Sequence, residues 1–148
     1  MKPKNLLLVA LLVFAANTFA QSTKIEAKDG IHYLTTDIDY PIAGTYLFKG
    51  AEPTVELNEN GTGFYQLHEQ PKRAVIWGIE SDEAGAPKFK KGFDSTAYTL
   101  WYQYVNPETE EDMHWKMVPF TIHFNTLKMF IQGERSKDFP ESAAVTSK

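Results

Sequence analysis

The sequence predicts an all-β fold: a single antiparallel up-and-down meander of about eight strands, curled into a barrel or a strongly bent sheet. A β-sandwich is the alternative arrangement. Three observations predict it. Short runs of alternating apolar and polar residues recur about every ten residues, divided by Gly, Pro, Asn and Asp. No stretch after the first twenty residues carries the apolar spacing of an amphipathic helix. The connections between runs are mostly short, which makes neighbours in sequence neighbours in the sheet.

The chain opens with a segment that belongs to processing rather than to the fold. Lys2 and Lys4 precede the apolar run Leu6 to Ala16, and "NTFA" ends on small residues at Thr18 and Ala20. This is the pattern of a cleaved secretory signal over residues 1–20, with the mature chain starting at Gln21. The run is about half the ~20 apolar residues that a membrane helix needs, so the mature chain is expected to carry no membrane span. Taking 20 residues and two lysines from 148 residues of net charge −4 leaves 128 residues of net charge −6. Residues 21–30 read as a flexible leader, 31–133 as the β-barrel domain and 134–148 as a polar tail.

Within the domain, "IHYLTTD" (31–37) and "GTYLFKG" (44–50) are the first strands, split by Tyr40-Pro41. "PTVELNENGTGFYQLH" gives the clearest local signal. Val55 and Leu57 alternate with Glu56, Asn60-Gly61 supplies the positive φ of a tight loop, and a second strand follows from Phe64. "RAVIWGIE" (73–80) puts Val75, Trp77 and Ile79 on one face, and "KFKKGF" (88–93) has the lysines of an exposed edge. "AYTLWYQYV" (97–105) is followed by the acidic loop "NPETEED". In "MHWKMVPFTIHF" (113–124), Met113, Trp115 and Met117 share one parity and Phe120, Ile122 and Phe124 the other. A bulge or bend is expected at Val118-Pro119. "TLKMFIQG" (126–133) closes the series.

"GTYLF", "VELNENGTGFYQL", "AVIWGIE" and "NTLKMFI" together resemble the small lipocalin-like domains of exported bacterial proteins, over about residues 42–132. The resemblance implies a barrel with an internal cavity. Gly44-Thr45-Tyr46 stands where true lipocalins have G-x-W, so it implies no particular ligand.

Composition narrows the function. The chain has no cysteine, which closes lipidation at a cysteine and fits an exported protein of a bacterial periplasm or surface. A mildly acidic chain without a basic run argues against nucleic acid as a partner. No G-x-S-x-G, Walker or dinucleotide-binding pattern is present, so neither a catalytic set nor a cofactor is expected. His32, His68, His114 and His123 lack metal-site spacing and read as solvent-facing, as do Glu56 and Glu80.

The aromatic residues carry what functional signal there is. Tyr98, Leu100, Tyr102 and Tyr104 share one face of their strand, and Trp101 lies on the other between Thr99 and Gln103. Tyrosine and tryptophan need hydrogen-bond partners when buried, so they fill a core at greater cost than Leu or Phe. The expectation is a non-catalytic module holding a small hydrophobic or amphipathic ligand against Tyr65, Trp77, Tyr98, Tyr102, Trp115 and Met117. The alternative is a protein- or glycan-interaction module with Trp101 exposed as its anchor.

Overall fold

The structure, a computed structural model, describes residues 22–139. It contains eleven strands: β1 (Thr23–Ala27), β2 (Gly30–Thr35), β3 (Gly44–Phe48), β4 (Ala51–Leu57), β5 (Thr62–Gln66), β6 (Lys72–Ser81), β7 (Lys90–Lys91), β8 (Ser95–Tyr104), β9 (Lys116–His123), β10 (Lys128–Ile131) and β11 (Arg135–Asp138). Eight of them, β3–β6 and β8–β11, form a closed antiparallel barrel with up-and-down connections. Two pairings complete the circle: β6 skips the short β7 to join β8, and β11 returns to β3 through Arg135↔Phe48 and Ser136↔Leu47.

Alternation decides what fills the barrel. Directly opposed residues of an antiparallel pair share a face, and the opposed pairs Val75↔Tyr104, Trp77↔Tyr102 and Ile79↔Leu100 all turn inward. Phe120↔Ile131 and Ile122↔Met129 continue the interior on the far wall. The connections β3–β4, β5–β6, β8–β9 and β10–β11 lie at one end, called here the upper end. Residues 36–43 run to the lower end, where Ile38 and Ile42 join the core and Tyr46 donates its hydroxyl to the Ile42 carbonyl.

The β4–β5 turn forms as its residues dictate. Gly61 has a φ of 85°, its N–H bonds the Asn58 carbonyl, and Asn60 Oδ1 accepts the Thr62 N–H at 3.1 Å. Gln66 satisfies the backbone at the upper end of β5, accepting from Thr54 N and donating to the Gln70 carbonyl.

Three expectations are corrected. Residues 21–30 are not wholly a leader, because Thr23–Ala27 pair along their length with β2. The polar tail begins too early at 134: Arg135–Asp138 form the strand that shuts the barrel. Their polar sequence hid the strand, since "RSKD" has no apolar residue to alternate. No bulge interrupts Val118-Pro119, for the β8–β9 register runs unbroken from Ser95↔His123 to Tyr102↔Lys116. Val118, Phe120 and Ile122 keep one parity inward, and the irregularity falls instead at Leu47/Phe48. The proposed signal over residues 1–20 lies outside the described residues.

Candidate functional site

Sequence alternation and the barrel's curvature bring the inward tyrosines together at the upper end. The Tyr65 and Tyr102 rings stack with centroids 4.4 Å apart and planes 9° from parallel, and Tyr104 meets Tyr102 edge-on at 5.8 Å. Tyr65 donates its hydroxyl to Gln132 Oε1 at 3.1 Å. Burial raises the pKa of all three tyrosines, so they stay neutral hydrogen-bonding groups across the physiological range. Tyr98 lies lower in the barrel against Phe120, and burial pushes its pKa up to about 12. Trp77 is inward too, with its indole N–H shared between the Asn58 and Thr62 carbonyls at 3.1 and 2.9 Å.

Two arginines flank this cluster. Arg135 is 1% exposed, although it sits in a polar tetrapeptide. Its partner across the ladder is the core residue Ile131, so it too faces the interior. Its guanidinium carbon is 5.1 Å from the Tyr65 ring centroid. Arg73 lies over Tyr104 at 3.8 Å and donates to Asp112 at 2.9 Å. The same Asp112 oxygen accepts the backbone N–H groups of Glu108 and Thr109, so one carboxylate pins the β8–β9 loop beside the rings. The hydrogen bond from Arg73 holds the Asp112 pKa below the usual carboxylate range.

The other named residues lie elsewhere. Trp115 and Met117 are outside the barrel: Trp115 packs against an external cluster, and Met117 is 61% exposed. Both share the outward parity of β9, whose inward positions are taken by Val118, Phe120 and Ile122. Trp101 is outward as expected but not open to solvent. It is 3% exposed, covered by the β1–β2 hairpin and packed with Ile25 and Leu34. Its indole N–H donates to Glu80 Oε2 at 3.1 Å, and its ring lies 4.5 Å from that of His32. Glu80 and His32 are therefore not solvent-facing groups; His32 is held between Glu80 and Asp29, at 2.8 Å from each.

Sequence reasoning singled out Tyr65, Trp77, Tyr98 and Tyr102 and missed Arg73, Arg135 and Gln132. Alternation finds inward apolar and aromatic residues. It gives no mark to an arginine turned inward, because the pattern counts arginine as polar. Among the described residues, no group of three or more His, Asp and Glu is arranged to hold a metal ion. Compared with known proteins, the chain matches no family model, no curated protein and no solved structure.

Proposed function

We propose that the chain is an exported, non-catalytic binding protein that holds a small amphipathic molecule within its barrel, in the manner of lipocalin-like proteins. The observation that carries this reading is the inward Tyr65–Tyr102–Tyr104 cluster. A core selected for stability alone is served better by Leu, Ile and Phe, which bury no hydroxyl. A site for an amphipathic guest uses apolar walls with a few polar tips, and this end of the barrel has that composition. Entry requires the stacked rings to part, and the adjacent β8–β9 loop, fastened beside them through Asp112, is the element suited to move with them.

The export half of the reading rests on residues 1–20. Secreted expression followed by N-terminal sequencing should give a chain beginning at Gln21.

Native mass spectrometry of the protein purified from its host, with a tryptophan-fluorescence titration against medium-chain amphiphiles, tests the binding half. Retained small-molecule mass and a saturable change in tryptophan emission, lost in Trp77→Phe, are the expected results. A ligand-free mass with no saturable response removes the proposal.

A further inference from the structure

We infer that Arg135 anchors the charged end of the guest, which makes the ligand a carboxylate-bearing amphiphile such as a fatty acid. The inference rests on the reading of the barrel as a binding site and adds the chemistry of its occupant.

An arginine inside a barrel is costly to bury unless its charge and donors are met. Those of Arg135 are met only in part. Nη2 donates to the Gln66 carbonyl at 2.8 Å, and Nη1 lies 3.5 Å from Glu134 Oε2. Nε is buried with no hydrogen-bond partner. The nearby Tyr65 face receives the cation but offers no acceptor to its N–H groups. Glu134 is a weak counter-ion here: its side chain is half-exposed and is also drawn toward His68, 3.7 Å away.

A carboxylate suits the gap. Its two oxygens match the parallel donors along one edge of a guanidinium, which leaves Nε satisfied. One buried cation balances one charge, which favours a carboxylate over a doubly charged phosphate. Once the stacked Tyr65 and Tyr102 rings beside the guanidinium part, their faces provide the surface on which an alkyl chain would lie.

The experiment compares dodecanoate, dodecyl phosphate and dodecanol by calorimetric titration of the full chain. Dodecanoate should bind about ten-fold more tightly than dodecanol, the equivalent of one charge-assisted contact, and more tightly than dodecyl phosphate. Arg135→Met should erase the preference for the acid over the alcohol. Glu134→Gln changes only a half-exposed side chain and removes the competing carboxylate. It should tighten dodecanoate several-fold and leave dodecanol unchanged, so it decides the matter even if Arg135→Met does not fold. Equal affinity for acid and alcohol, a preference for the phosphate, or no effect of Glu134→Gln on dodecanoate overturns the role of Arg135 and leaves the barrel reading standing. Failure of all three amphiphiles to bind overturns both.

Discussion

Gly78 shows how much one hydrogen atom decides here. It faces outward on β6, and a Cβ added to it would come within 2.6 Å of the Leu34 Cβ. The missing side chain leaves room for Leu34 of β2, which pairs with the end of β6, to sit beside Trp101. Gly78→Ala should therefore lower stability by about 1–3 kcal/mol, the usual cost of overpacking, read as a shift in the urea midpoint. Trp101 belongs to the same contact. Its position between Thr99 and Gln103 suggests an exposed anchor, but the hairpin covers it. Trp101→Ala should cost about 3–5 kcal/mol, as for other buried aromatics. A truly exposed tryptophan would leave the denaturation curve almost unmoved, so this single measurement distinguishes the two placements.

At the scale of elements, the β1–β2 hairpin is held by a small charged cluster as well as by packing. The hydrogen bond that His32 donates to Glu80 raises the His32 pKa above 6.5, despite partial burial, and Asp29 adds to the effect. Burial works against the Glu80 charge, but hydrogen bonds from His32 and Trp101 hold its pKa below 4.5. Asp29 is lowered in turn by His32. The histidine's stabilisation is complete below its unfolded pKa and is lost as pH rises through its higher folded value. The carboxylates' contribution is present above their unfolded values and is lost as pH falls through their lower folded ones. The cluster contributes most between about pH 5 and 6.5. The urea midpoint of the native chain should fall between about pH 6 and 8 relative to that of His32→Gln; parallel curves would show that the cluster adds nothing. The β8–β9 loop depends on a carboxylate in a different way. Asp112→Ala should leave the Glu108 and Thr109 amides exchanging freely with solvent, as hydrogen exchange would show, while the barrel amides keep their protection.

The whole molecule was more legible than its site. Alternation at Val55/Leu57, Val75/Trp77/Ile79, Tyr98–Tyr104 and Leu127–Ile131 foretold most of the barrel wall, because burial on one face writes itself as a period of two. Asn60-Gly61 marked its turn for the same local reason. The first and last strands escaped. β1 and β11 are largely polar, and what makes them strands is the partner already waiting for them, a tertiary fact with no local signature. Arg135 was hidden with β11. Trp115 and Met117 were mis-sited because inside and outside depend on the register with β8, which a single strand does not reveal. A chain ended at Glu134 lacks the closing strand, and its unfolding should change from a sharp sigmoid to a broad, weakly cooperative transition in circular dichroism.

The join between β11 and β3 spans only two opposed residue pairs, and its halves lie far apart in sequence. Until β11 adds to it, the outer edge of β3 presents unpaired backbone groups to which another strand could bind. A chain caught before that closure is open to edge-to-edge association with a second copy.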